Sequence, residues 1–134
     1  TVRNADQSIN LLQDASGEAA YEAGYVDGAI NRPTLTVDSN TSWKLSVKIN
    51  SSWNNVNGYQ KATGDLMFKV TSNSGKQTGF TNFLPLTLSD QEIASSSDGI
   101  GSSIYNCQYR ILLGWEKDKP GAYNIIIVYT LATK

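Results

Sequence analysis

The chain has 134 residues, a length that suits one domain able to bury a real core without disulfide or metal staples. Eleven Lys and Arg stand against twelve Asp and Glu, and a net charge of −1 gives nucleic acid or an anionic membrane surface no electrostatic hold. No stretch approaches the roughly 20 apolar residues of a spanning helix, and the lack of histidine rules out Ser-His-Asp chemistry and the common zinc sites.

Residues 1–17 stand apart from the rest. Val2, Ile9, Leu11 and Leu12 are scattered on a polar background, and Ala15-Ser16-Gly17 follows. Two readings fit: a mobile arm or short edge strand, or a strand that carries its apolar residues to another subunit. Residues 18–134 then form the domain. Thr1 is not an initiator methionine, so an upstream segment is expected to have been removed, as a secretory signal or by cloning.

From Ala20 to Ile30 small residues alternate with Tyr21 and Tyr25, and Gly24 and Gly28 suggest a bulge or bend. Thr34-Leu35-Thr36-Val37 reads as a short strand, with Leu35 and Val37 inward. Asp38 to Thr41 is a turn of side chains that bond their own backbone. In the next strand Trp43, Leu45, Val47 and Ile49 face one way and Lys44, Ser46 and Lys48 the other. Residues 50–64 form a polar loop holding Trp53, Tyr59 and Lys61. Leu66, Phe68 and Val70 mark another strand, and Pro85 confines the run from Phe83 to Leu88 to a sheet edge. Ser89 to Ser103 has the composition of a loop.

Tyr105, Cys107, Tyr109, Ile111, Leu113 and Trp115 then alternate with polar residues, the longest clean strand pattern. Cys107 shares its face with the tyrosines and is expected to be a buried, inert thiol. A charged turn leads through Pro120-Gly121 into Tyr123 to Leu131, nearly all β-branched or aromatic. Tyr123, Ile125, Ile127, Tyr129 and Leu131 fall on one face. Ile126 and Val128 make the other face apolar too, which predicts a central position with cover on both sides. No helical period lasts three turns; residues 11–23 come closest and Gly17 interrupts them. About seven short strands separated by turns predict an all-β, immunoglobulin-like antiparallel sandwich with an extended N-terminal arm.

The pattern holds little catalytic chemistry, and the chain is not expected to be an enzyme or to bind a cofactor. There is no GxxxxGK[ST] and no GxGxxG. Asp90 and Glu92 read as solvated charge, and Asp98-Gly99 lacks the oxygen series of a calcium loop. Asn40-Thr41-Ser42 and Asn50-Ser51-Ser52 are acceptor patterns for glycosylation on either side of one strand. Trp43 and Trp115 belong to inward faces, leaving Trp53 as a candidate platform for a sugar ring. A lysine aimed inward beside a carboxylic acid could form a covalent amide, but Lys44, Lys48, Lys61 and Lys69 are expected to point outward or lie in a loop.

Three features together resemble subunits of surface filaments built by donor-strand exchange, such as chaperone–usher pilins and archaeal threads and bundling pili. They are the arm of residues 1–17, the phrase from Leu35 to Val47 with its turn Asp38-Ser39-Asn40-Thr41, and Pro120-Gly121-Ala122-Tyr123 leading into Ile125 to Leu131. The lone Cys107 departs from the disulfide common in bacterial chaperone–usher pilins and points toward the disulfide-free filaments. The resemblance implies a secreted, cell-surface homopolymer joined head to tail for adhesion or cell–cell contact. Val2, Ile9, Leu11 and Leu12 would be the donor residues, and Ile126 and Val128 would border the acceptor groove. The alternative is a secreted monomer that binds surface glycans through Trp53 and loop tyrosines.

Overall fold

A computed structural model describes residues 2–3, 18–99, 101–114, 116–119 and 121–134. In it the chain is an immunoglobulin-like β-sandwich of two antiparallel sheets. The strands are β1 (Val2–Arg3), β2 (Tyr25–Asp27), β3 (Thr34–Asp38), β4 (Trp43–Ile49), β5 (Leu66–Asn73), β6 (Leu84–Pro85), β7 (Gln91–Ser96), β8 (Ser102–Leu112) and β9 (Ile127–Thr133). The larger sheet runs β1-β3-β8-β5-β6, with β2 also on β8, and the smaller runs β7-β4-β9.

Alternation places the core. On β8 the buried residues are Ser103, Tyr105, Cys107, Tyr109 and Ile111, and their partners on β3 and β5 are the inward Val37, Leu35, Val70, Phe68 and Leu66. On β4, Trp43, Leu45, Val47 and Ile49 are all buried. Their β9 partners, Thr133, Leu131, Tyr129 and Ile127, include three that pack against the core while half-buried. Trp43 meets Tyr105 of the opposite sheet edge to face, with centroids 6.4 Å apart. Tyr109 and Tyr129 join the sheets through their hydroxyls. Cys107 is buried and free, and burial pushes its thiol up to about 12, well outside the range of a thiolate at neutral pH.

Three expectations change. Glu18–Ala23 is a helix, α1, not part of a bent strand. Ala and Glu are strong helix formers, and Gly24 ends the turn at φ +85°, its amide donating to Ala20. β7 lies where a loop was expected. Ile93 and Ala94 are both buried because the β4–β7 register shifts between Leu45 and Ser46, so two successive side chains turn inward. That shift erases the alternation that would have marked the strand.

The third change concerns the final stretch. β9 begins at Ile127 and, among the described residues, pairs only with β4. Among the described residues it is therefore the last strand of its sheet and not a central one. Residues 122–126 still follow β4's continuation without forming a ladder: Asn50 and Asn54 amides donate to Ile126 and Asn124 carbonyls.

Candidate functional site

Among the described residues, the far edge of the smaller sheet is uncovered and its near edge is not. Beyond β7, the amides of Thr78 and Gly79 donate to the Ile93 carbonyl, and the chain then crosses to β5, where Leu86 N donates to Leu66 O. This closes one side of the sandwich. On the other side β9 is the last strand of its sheet and β1 the last of the facing sheet, with the two close to each other. An edge strand with half-buried apolar residues and unpaired amides is a template for another strand.

The expected acceptor residues fall at this edge. Ile126 is 57% exposed, just before β9 begins, and Val128 is half-buried on it. Of the expected donor residues, Val2 lies opposite Val37 of its own β3, with Arg3 opposite Thr36. The beginning of the arm thus rests on its own domain, because β3 offers an outer edge that the two residues can pair with. For Val2 and Arg3 the reading as a short edge strand therefore holds, against the expectation that Val2 is a donor residue. Ile9, Leu11 and Leu12 lie outside the described residues, as does Trp115.

A second cluster was not foreseen. Lys61 sits in the loop before β5 yet is only 1% exposed. Its Nζ lies 2.8 Å from Asp118 Oδ1, 3.0 Å from Asp65 Oδ2 and 2.7 Å from the Leu112 carbonyl, so all three ammonium donors are used. A short 3-10 turn, Thr63–Asp65, brings Asp65 back over Lys61. The turn after Gly114 does the same for Asp118, whose Oδ2 accepts the Gly114 amide at 2.7 Å. The Tyr59 hydroxyl donates to Asp118 Oδ1 at 2.8 Å, and Tyr21 of α1 donates to the Asp118 carbonyl. Lys117 reaches Asp65 from the surface at 3.2 Å.

Two lysines thus face two aspartates, and the buried charge is compensated. Burial alone would raise the Asp118 carboxyl. Hydrogen bonds from Lys61 and Tyr59, the Lys61 charge and the Gly114 amide outweigh it and hold the group below its ordinary value. The Tyr59 hydroxyl is pushed up by burial and by Asp118. The one local signal was the four-residue spacing of Lys61 and Asp65; Asp118 is 57 residues from Lys61 and only the fold unites them.

Trp53 is not a platform. It is 4% exposed, packs edge to face with Tyr123, and donates its indole N–H to the Ala62 carbonyl at 3.0 Å. A bulky ring in a polar loop finds more stabilisation in the core than in water. The Tyr25 and Phe83 rings on the outer face do not replace it, since the Arg110 guanidinium, 4.1 Å from each centroid, already fills the space against them. Asn40 and Asn50 are exposed, as are Asp90 and Glu92. Lys44 is exposed and Lys48 and Lys69 are half-buried, while Lys61 lies in a loop as expected but is buried there beside two carboxylates.

Among the described residues no helix is long and apolar enough to cross a membrane. Compared with protein-family models, with curated proteins and with solved structures, the chain matches none of them.

Proposed function

We propose that the chain is a structural subunit of an extracellular filament that polymerises head to tail by strand exchange and serves adhesion or cell–cell contact. The observation that carries this reading is the edge strand β9, whose inner face of Ile127, Tyr129 and Leu131 is only half-buried. The arm starts on β1, beside that same edge. In the filament, the arm beyond Arg3 of one subunit leaves its own domain and lies along β9 of the next. Ile9 and Leu11 then cover the apolar edge that Ile126 and Val128 border. Backbone bonds supply much of the affinity in such an addition. Each aliphatic side chain that is fully covered contributes about 1.5–3 kcal/mol more. A contact of this kind does not close on itself and so propagates a fibre.

Removing residues 1–12 is expected to leave a folded monomer that cannot extend fibres, and electron microscopy beside the full chain reads the difference. A free peptide of residues 1–12 should bind that monomer and, added to the full chain, cap growth. Truncated protein that polymerises as well as the full chain would overturn the reading. So would a full chain that stays a 14.6-kDa monomer at every concentration.

A further inference from the structure

We propose that Lys61 and Asp118 condense to an internal amide bond, with Asp65 carrying the proton. The inference is independent of the filament reading. It rests on a lysine whose side chain is wholly buried against a wholly buried carboxylate, Nζ 2.8 Å from Oδ1, with a second carboxylate 3.0 Å from the same nitrogen.

The step balances without any outside reagent. An ammonium proton passes from Nζ to Asp118 Oδ1, 2.8 Å away, so that the freed lone pair attacks the carbon of a neutral carboxylic acid while Asp65 Oδ2 takes a second proton from the nitrogen. Negative charge that grows on Asp118 Oδ2 is held by the Gly114 amide, already 2.7 Å away. Oδ1, now a hydroxyl held beside Tyr59, receives the proton that Asp65 took. The carbon–Oδ1 bond breaks and one water leaves. Asp65 ends as it began, ionised, and the remaining amide N–H faces the Leu112 carbonyl that held the ammonium.

Three features favour condensation over a lasting ion pair. First, two charges removed from water are costly even when paired, and the amide abolishes both. Second, Asp65 keeps a counter-charge afterwards, because Lys117 reaches it from the surface. Third, both oxygens of Asp118 are fixed by donors, and Lys61 has no freedom left among its three partners, so the reacting groups are held together as an intramolecular pair. The bond would link the loop before β5 to the turn that leads into the final stretch, so that β9 could not peel away from its entry side.

Mass spectrometry of the denatured full chain reads the result directly. The wild type is expected one water lighter than its sequence mass, and a digest should contain a branched peptide joining the Lys61 and Asp118 segments. The branched peptide is decisive, since a succinimide at Asp98-Gly99 would lose the same water. Lys61→Arg and Asp118→Ala should both have their full sequence mass. Asp65→Asn, which keeps the shape but not the base, should leave most of the chain unlinked although Lys61 and Asp118 are both present. Folded wild-type protein, judged by protection of Cys107 from a thiol reagent, that has its full sequence mass would overturn the proposal. A water loss without the branched peptide would do so equally.

Discussion

Trp43→Ala is expected to destabilise the folded chain by about 3–5 kcal/mol, the range for emptying a large aromatic site in a packed core. Trp43 is 2% exposed, lies on the central strand of its sheet between β7 and β9, and meets Tyr105 of the facing sheet edge to face. Its loss therefore removes a contact between the layers as well as area. The indole N–H has no acceptor among the described residues. An unpaired buried donor costs free energy, so Trp43→Phe should recover most of the loss. Denaturant unfolding measures both variants. A loss below about 1 kcal/mol for Trp43→Ala would contradict the packing described for β4.

Measured against chain in which Lys61 and Asp118 are still an unlinked ion pair, Lys61→Met should cost a similar amount, about 3–5 kcal/mol, for a different reason. Methionine fills the space but leaves Asp118 buried without its cation, and Asp65 with only the surface Lys117. The larger part of the cost is the uncompensated charge. Lys61→Met combined with Asp118→Asn should therefore be more stable than Lys61→Met alone, a coupling visible only if the two residues act as a pair. Equal stabilities of the single and double variants would mean that the cluster contributes by packing alone. The pair also sets a pH dependence where it is ionised. Because the folded Asp118 carboxyl lies below its unfolded value, its contribution is present above the unfolded pKa and is lost as pH falls through the folded one.

The parts of the fold legible in the sequence are those where one face is buried and the ladder is regular. Leu35 and Val37, Leu66 to Val70 and Tyr105 to Leu113 are placed as their alternation requires, and so are the inward residues Trp43, Leu45, Val47 and Ile49 of β4. Ser46, expected outward with Lys44 and Lys48, is instead buried where the register with β7 shifts. β7 escaped because its bulge turns Ile93 and Ala94 inward together. The last strand showed its inner face correctly, with Ile125, Ile127, Tyr129 and Leu131 against the core. Its apolar outer residues Ile126 and Val128 suggested a central place that β9 does not have among the described residues. An edge strand carrying such residues has the same local pattern as a covered one, and only the partners tell them apart.

The buried charges were invisible for another reason. Periodicity marks apolar faces, and a lysine in a polar loop reads as solvated until its carboxylates are found. Asp118 lies in a turn whose composition, Glu116-Lys117-Asp118-Lys119, is that of an exposed charge run. Only the return of that turn over Lys61 reveals the pair. Trp53 failed in the opposite sense, a large ring whose polar neighbours concealed its burial.

The claim on which the functional account depends is that the outer edge of β9 receives the arm of another subunit. Amide hydrogen exchange along Ile127–Thr133 tests it most directly, in protein lacking residues 1–12 with and without the free arm peptide. The account predicts that the amides facing β4 are protected throughout, while those directed away from β4 exchange rapidly until the peptide is added and slow by orders of magnitude once it is bound. Exchange along β9 that is unchanged by saturating peptide would contradict it.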